Sequence, residues 1–382
     1  MNYRKLGNTG LMVSEVGFGG EWLERHTEAE CVEVIEYARK QGINILDCWM
    51  AEPGVRTNIG KGIAGHRSEW IIQGHIGSTW QDGQYVRTRD PQKAKEAFED
   101  LLARLGTDYI DLGMIHYVDQ EQDWNDIQGS EYLEYILQLK KDGVIKHIGM
   151  STHNPLVARK AVRSGLVEMI LFSINPAFDM RPASENIDDT LSDVYTEGLS
   201  GIDPDRAELY RLCEEKGVGI TVMKGFGGGR LFDPARSPFG VTLTPVQCLH
   251  YCLTRPAVAA VMCGFDDCSQ VDGAVHYETA LDEEKDYATV LANAPYHAFT
   301  TGQCTYCGHC RPCPMNIDIA MVNKLSDLAA MQPQVPASVR DHYEVLSAHA
   351  SDCIGCQSCE ERCPFGVRIA ERMVKTAELF GK

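Results

Sequence analysis

The sequence predicts an α/β fold: a (β/α)8 TIM barrel followed by a small helical domain. Three observations predict it. Short apolar runs alternate with amphipathic stretches over residues 10–280, roughly 30 residues to each strand–helix unit. Most of those runs are apolar throughout, as strands buried on both faces require. Two cysteine-rich runs then stand apart near the end, "CTYCGHCRPCP" at 304–314 and "CIGCQSCEERCP" at 353–364. The 382 residues are too many for one small domain and suit a large domain with a small one. The boundaries fall at 1–290 for the barrel and 291–382 for the second domain.

In chain order, the candidate strands are "MVSEVGFG" (12–19), "INILD", "WIIQGHI", "YIDLGMIH", "IKHIGMS", "EMILFSIN", "VGITVMK" and "VAAVMCG". The helices between them are expected near 28–41, 55–64, 91–105, 129–141, 155–164, 204–216, 244–253 and 268–279. In such a barrel the active site lies at the C-terminal ends of the strands. Those ends carry Asp47, His75, His116, "STHN" with Ser151 and His153, Asn175 and Lys224. The long connection 176–203 holds Glu185, Asp188, Asp189, Asp193, Glu197 and Asp203 with Arg181 as its one base, and is a candidate lid. "KGFGGGRL" follows the seventh strand, so Gly227 and its neighbours could cradle a phosphate or form a tight turn.

The formal net charge is −18. That excludes nucleic acid or an anionic membrane as the main partner. Through residue 299 there are 28 basic against 45 acidic side chains, and from residue 300 on 8 against 9, so the acidity belongs to the barrel. No apolar run approaches the ~18 residues of a membrane span. "MNYRKLGNTG" has no apolar core of a secretory signal. A cytoplasmic protein is expected.

Eight of the fifteen cysteines lie in the two runs. Cys353, Cys356, Cys359 and Cys363 with Pro364 read C-x2-C-x2-C-x3-C-P, the run that ligates a [4Fe–4S] cluster in bacterial-type ferredoxins. Cys304, Cys307, Cys310 and Cys313 with Pro314 form its partner. The fourth cysteine of such a run serves the other cluster. One cluster is therefore expected on Cys304, Cys307, Cys310 and Cys363, the other on Cys353, Cys356, Cys359 and Cys313. C-x2-C pairs also suit zinc, but eight cysteines with proline after each fourth, and a helical segment with a break at "QPQVP" between the runs, fit a ferredoxin-like domain with two [4Fe–4S] clusters. Exposed cubanes are oxygen-sensitive, which points to a reducing cytosol, that of an anaerobe. Cys48 follows Asp47, and strand alternation turns it toward the helices.

"MNYRKLGNTGLMVSEVGFGG", "LLARLGTDYIDLGMIH" and "VGITVMKGFGGGRL" resemble the opening, the histidine segment and the seventh strand of the aldo-keto reductase family. The organisation is similar to its iron–sulfur members with a C-terminal ferredoxin-like extension. The resemblance implies carbonyl reduction by hydride transfer from a nicotinamide, with an Asp, Tyr, Lys and His tetrad. Asp47 matches the aspartate and His116 the histidine. Where the family reads its tyrosine, "DCWMAEP" places Glu52, and where it has lysine, "IIQGHIG" places His75. Ser151, Asn175, Lys224 and Gly227 are the expected cofactor-binding positions. Near strand eight, "CGFDDCSQ" offers Asp266 and Asp267 where the family presents cations to the 2′-phosphate, which disfavours NADPH and leaves NAD(H) or no nicotinamide.

The expected catalytic set is thus Asp47, Glu52, His75 and His116. A Glu–His pair has reference pKa values of ~4.3 and ~6.5 and can act as acid and base in turn. The first reading is an oxidoreductase on a small carbonyl or hydroxyl compound, with electrons passing through the two clusters to or from a redox partner protein, a ferredoxin or flavoprotein. The second is a metal-assisted lyase, dehydratase or isomerase using His75, His116 and a carboxylate, with His153 as a further ligand. The third is an electron-transfer subunit without barrel chemistry. Trp49 beside the site could stack on a substrate ring or pack the wall.

Overall fold

A computed structural model describes residues 1–191, 201–295, 302, 304–330 and 334–382. Asp193 and Glu197 of the long connection lie outside the described residues. The chain opens with a hairpin, β1 (Tyr3–Lys5) and β2 (Met12–Ser14). The barrel strands are β3 (Val16–Gly19), β4 (Ile45–Cys48) and β5 (Ile71–Ile76), then β8 (Ile110–Ile115), β9 (Ile145–Thr152), β10 (Met169–Ser173), β11 (Gly219–Met223) and β12 (Val258–Gly264). Between β5 and β8 a second hairpin, β6 (Ser78–Gln81) and β7 (Gln84–Arg87), is inserted. The eight barrel strands are parallel and close in chain order, with β12 paired back to β3 through Val261 opposite Val16 and Cys263 opposite Phe18.

One expected strand is two. The run 12–19 breaks at Ser14, whose hydroxyl donates to Val16 O at 2.6 Å while its N–H donates to Asn44 Oδ1 at 2.7 Å. The turn separates the basal hairpin from the first barrel strand. The hairpin sends Leu6 and Val13 into the barrel interior, where they meet Ile45, Leu112, Met114, Met169, Leu171, Ala260 and Met262. Gly149 on β9 contributes no side chain there because a Cβ would stand 2.4 Å from Sδ of both Met114 and Met169. The two flexible thioethers fill that layer instead.

The surrounding helices start where the sequence places capping residues before proline. Asp90, Asn154, Asp203 and Thr244 cap helices Pro91–Leu105, Pro155–Ser164, Pro204–Lys216 and Pro245–Leu253. Each side-chain oxygen satisfies an orphan N–H, and proline at the first helical position has no N–H to lose. Left-handed Gly106, Gly165 and Gly217 end the first three. No helix among the described residues is long and apolar enough to cross a membrane.

The apolar layer between strands and helices continues into the C-terminal region through Ile319, Val322, Leu325 and Met373. Helices Ile319–Ala329 and Ile369–Phe380 frame that region, joined by Arg372 to Asn323 Oδ1 at 3.0 Å and by Thr376 to Ser326 at 2.9 Å. It rests on the flank made by helices Pro204–Lys216 and Pro245–Leu253. Lys324 pairs with Glu214 at 2.9 Å, and Arg255 and the Tyr287 hydroxyl donate to Thr305 O. Glu214 also accepts the Ala257 N–H, at the start of β12. These contacts lie toward the N-terminal ends of the strands, away from the barrel mouth.

Candidate active site and cluster centres

At the C-terminal ends of the strands a buried hydrogen-bonded chain crosses the barrel. Gln73 and His75 alternate along β5 and both face inward. Thr221 Oγ1 donates to Gln73 Oε1 at 2.7 Å, and Gln73 Nε2 donates to Asp47 Oδ1 at 2.7 Å. The same Asp47 oxygen lies 3.0 Å from His75 Nε2. His75 Nδ1 lies 2.8 Å from His116 Nδ1, and His116 Nε2 lies 2.6 Å from the Tyr85 hydroxyl. Asp47, His75 and His116 are 4%, 2% and 5% exposed, so the chain is buried as far as His116, while Tyr85 at its end is half-buried.

The proton positions follow from chemistry. A carboxylate only accepts, so His75 Nε2 carries a proton toward Asp47. With His75 accepting at Nδ1 from His116 Nδ1–H, His116 Nε2 is left to accept from the Tyr85 O–H. Burial holds His116 well below the usual histidine range, helped by His75 and then by Arg89 and Arg87. Burial also pushes the Tyr85 phenol up to about 12. Both groups are therefore neutral near pH 7. Trp49 lies parallel to His116, centroids 6.0 Å apart, and meets Tyr85 edge-on at 5.4 Å.

The structure joins Asp47, His75 and His116 in one hydrogen-bonded chain, and no hydrogen bond among the described residues ties Glu52 to it. Glu52 is the N-cap of helix Pro53–Gly62, its carboxylate accepting from Val55 N at 2.6 Å. Pro53 opens that helix, which makes the preceding residue its cap and turns the carboxylate onto the backbone. The hydrogen-bonded chain runs Asp47–His75–His116–Tyr85, with Glu52 outside it. Tyr85 was not expected. It comes from the inserted hairpin, whose tight turn at Asp82 (φ 52°) and Gly83 (φ 78°) matches "DG" between alternating residues in "TWQDGQYVR". That signal was present in the sequence.

No group of three His, Cys, Asp or Glu side chains among the described residues is drawn together around a point where one ion would sit. In the barrel, both ring nitrogens of His75 are already engaged by Asp47 and His116. The metal-assisted reading therefore gains no ligand set. Cys48 faces the outer apolar layer, where burial pushes its thiol up to about 12.

Of the expected nicotinamide contacts, Ser151, Asn175 and Gly227 make hydrogen bonds within the fold, and Lys224 does so through its carbonyl. Ser151 Oγ accepts from Tyr117 N at 2.8 Å. Asn175 accepts from Phe178 N at 2.8 Å and donates to Lys224 O at 2.9 Å. Lys224 has a left-handed backbone, φ 60°. The N–H groups of Gly227 and Gly229 donate to Lys224 O and Phe226 O, so the glycine run is a tight turn rather than an open cradle. Asp267 caps helix Cys268–Val275, and Asp266 lies 3.0 Å from His26 Nε2. Two carboxylates at this corner do not fit a 2′-phosphate.

The cluster cysteines do converge. Cys304, Cys307, Cys310 and Cys363 line one hollow of about 310 Å³. Cys313, Cys353, Cys356 and Cys359 line another of about 380 Å³. Each hollow takes three cysteines of one run and the last of the other. A cubane bonds each thiolate to a separate iron, so its four sulfurs stand around a cage rather than meeting at one ion. Asn323 Nδ2 donates to Cys304 Sγ at 3.5 Å and Gly355 N to Cys353 Sγ at 3.4 Å, both suited to thiolate ligands. Arg362 ties the runs together by donating to Cys310 O at 2.9 Å and Pro312 O at 2.8 Å. The donors fit two [4Fe–4S] clusters.

Comparison with known proteins agrees with this architecture. Residues 15–242 match the Aldo/keto reductase family and residues 303–368 match a 4Fe-4S dicluster domain. A similar relative is an uncharacterized oxidoreductase, YqkF, of Bacillus subtilis, 33% identical over 48% of this chain and 58% of its own length. The chain thus spans little more than half of that relative. L-galactose dehydrogenase of Arabidopsis thaliana is 29% identical over 73% of this chain and 88% of that one. The solved aldo-keto reductase AKR11C1 of Bacillus halodurans, in its holo form, superposes with a TM-score of 0.59 at 25% identity, covering 75% of this chain and 94% of that one. With a closed eight-stranded barrel, Asp47 and His116 at its strand ends, and a family match over more than half of its length, the chain belongs to the aldo/keto reductase family and carries a 4Fe-4S dicluster domain.

Proposed function

We propose that the protein interconverts a hydroxyl and a carbonyl group on a small oxygenated compound, with the clusters as its electron route. The observation that carries the reading is the buried chain Tyr85–His116–His75–Asp47. In the oxidative direction, the substrate hydroxyl gives its proton to the Tyr85 oxygen as the Tyr85 proton passes to His116 Nε2. The His116 Nδ1 proton then passes to His75 Nδ1, leaving an imidazolium beside the Asp47 carboxylate. The reverse sequence protonates a carbonyl during reduction. Gln73, held by Thr221, fixes the Asp47 oxygen that receives His75.

Oxidation of the alcohol also removes the carbon-bound hydrogen with its two electrons, which a hydride acceptor of the nicotinamide class would take; two bound [4Fe–4S] clusters would then supply two one-electron stores, the number that this interconversion needs. Cys304, Cys307, Cys310 and Cys363 would hold the cluster beside the barrel. Cys313, Cys353, Cys356 and Cys359 would hold the other. Cys356 is exposed, so the second centre is the one a redox protein, a ferredoxin or flavoprotein, would reach. Ser151, Asn175, Lys224 and Gly227 shape the mouth through backbone contacts. Glu52 belongs to the helix start rather than to the proton path. A complete proton chain in the barrel argues against a pure electron carrier.

The test is an anaerobic titration of cluster-loaded protein with small alcohols and carbonyls, with and without NADH or NADPH, following visible absorbance and product. Cluster reduction coupled to carbonyl formation supports the reading. No product with any pair, in protein whose clusters accept electrons from dithionite, sinks it.

A further inference from the structure

The C-terminal region contains an internal repeat. "CPMNIDIAMVN" (313–323) and "CPFGVRIAERM" (363–373) run in step without a gap, each closing a cysteine run and opening one of the two framing helices. Equivalent residues line the two cluster hollows in exchange. Val367 and Ala320 line the hollow of Cys304, and their counterparts Ile317 and Ala370 line that of Cys353. At a third such pair the chemistry differs: Asn323 lines the inner hollow, beside the barrel, and Met373 lines the outer one. A thioether has no proton to give, whereas a carboxamide has two.

Asn323 is 1% exposed, and its amide is fixed at both ends. Arg372 Nε donates to Oδ1 at 3.0 Å. A guanidinium only donates, so the amide oxygen must face it and Nδ2 must face the cysteine. Nδ2 lies 3.5 Å from Cys304 Sγ. Arg372 is held in turn by Asp327 Oδ1 at 2.6 Å, and Asp327 Oδ2 accepts from the Tyr306 hydroxyl at 2.8 Å, two residues after Cys304. The brace therefore starts and ends on the cysteine run it serves. The donor comes from one half of the repeat and the arginine from the other. The counterpart of Arg372 in the first half is Val322, which offers no such brace to Met373.

We infer that Asn323 sets the reduction potential of the cluster beside the barrel, and that Arg372 is its positioning residue. This rests on the two hollows holding [4Fe–4S] clusters and not on the barrel chemistry. Uptake of one electron adds one negative charge to a cluster and its thiolates. A fixed N–H donor on a thiolate strengthens with that charge and favours the reduced form. Asn323 thus holds an electron more firmly at the centre next to the barrel. At the outer centre Met373 gives no such help.

Potentials test it without substrate, by potentiometric titration of cluster-loaded protein followed by electron paramagnetic resonance. Cys356→Ser, which strikes only the outer centre, tells the two signals apart. Asn323→Leu, close in shape and without a donor, should make the inner cluster about tenfold harder to reduce, which is about 59 mV for one electron. The outer potential should not move. Asn323→Gln, which keeps an amide, should recover part of the shift. Arg372→Met should lower the inner potential more in wild type than in Asn323→Leu, because part of its effect runs through the amide. An inner potential unchanged in Asn323→Leu, or equal shifts at both centres, overturns the assignment. Equal effects of Arg372→Met in the two backgrounds overturn its positioning role. If Asn323→Leu loses its iron, wild type with heavy nitrogen in its asparagine side chains decides. Pulsed resonance should then show coupling to that nitrogen at the reduced inner centre, and its absence overturns the assignment. Turnover enters none of these readings, so their failure leaves the proposed reaction standing.

Discussion

The Tyr85 hydroxyl stands 2.6 Å from Nε2 of His116, joining a residue of an inserted hairpin to one that ends a barrel strand. The family places its phenol on the loop after Asp47, where this chain has Glu52. Here a phenol reaches His116 from the inserted hairpin. The contact is braced by a buried arginine. Arg56 donates to Met50 O at 3.3 Å, to Ser78 O at 3.2 Å and to Ala97 O at 2.8 Å, clamping the loop of Trp49 against the base of the hairpin.

Removing the phenol alone isolates its role. Tyr85→Phe keeps the ring that packs on Trp49 and deletes the proton carrier. General acid–base catalysis contributes typically ~10²–10⁴-fold, so kcat should fall by that order with KM little changed. Stopped-flow cluster reduction by substrate reads the step directly. A variant with wild-type kcat would show that the chain ends at His116.

What could be read from sequence divides along physical lines. The barrel strands are long periodic or continuous apolar runs, and the helices begin at capping residues before proline, so both were legible. The pairing of cysteines across the two runs is expected from the ferredoxin rule that the fourth cysteine of a run serves the other cluster, and the two hollows are lined in that way. Likeness to the family gives Glu52 its position at the tyrosine site and not the direction of its side chain. Pro53 decided that direction by starting a helix. Tyr85 is hard to single out in the sequence because a residue on an insertion has no strand end to mark it. Gln73 and Thr221 were hidden for another reason: an inward polar residue in an apolar strand shows its purpose only when its partner across the barrel is known.

The exchange of cysteines between runs makes a non-additive prediction. Cys363→Ser combined with Cys304→Ser strikes one centre twice and should leave about half of the wild-type iron and sulfide. Cys363→Ser combined with Cys356→Ser strikes both centres and should leave almost none. Iron analysis with electron paramagnetic resonance separates the cases. The reverse pattern would mean that each run holds its own cluster.

Arg255 should tune the centre beside the barrel. It is 2% exposed, donates to Thr305 O next to Cys304, and its Nε and Nη1 are buried without partners. A buried cation favours the more negative, reduced state of a neighbouring cluster. Arg255→Gln should lower the midpoint potential of that cluster by about 60 mV, which is ~1.4 kcal/mol for one electron, and leave the other unchanged. Potentiometric titration followed by electron paramagnetic resonance reads both centres. Equal shifts in both, or none, would refute local tuning.

Acid sensitivity of the fold has a sign that two histidines set. Burial holds His116 well below its ordinary value, with His75, Arg89 and Arg87 adding to it. Burial lowers His250 to about 4, with Lys285, Arg255 and Arg4 contributing. Each takes up a proton more readily unfolded than folded. Their contribution to stability is therefore complete above the unfolded value of 6.5 and is lost as pH falls through it toward the folded value. For His250 the loss continues to about pH 4, with a limiting slope of about 1.4 kcal/mol per pH unit. His250→Gln, which keeps a partner for the Tyr277 hydroxyl now 3.2 Å away, should flatten the fall of Tm between pH 6.5 and 4. It should leave the pH dependence above 7 as it was. A variant whose Tm falls as steeply as wild type would show that His250 is already protonated in the folded protein, and that acid lability arises at His116 and the paired carboxylates instead.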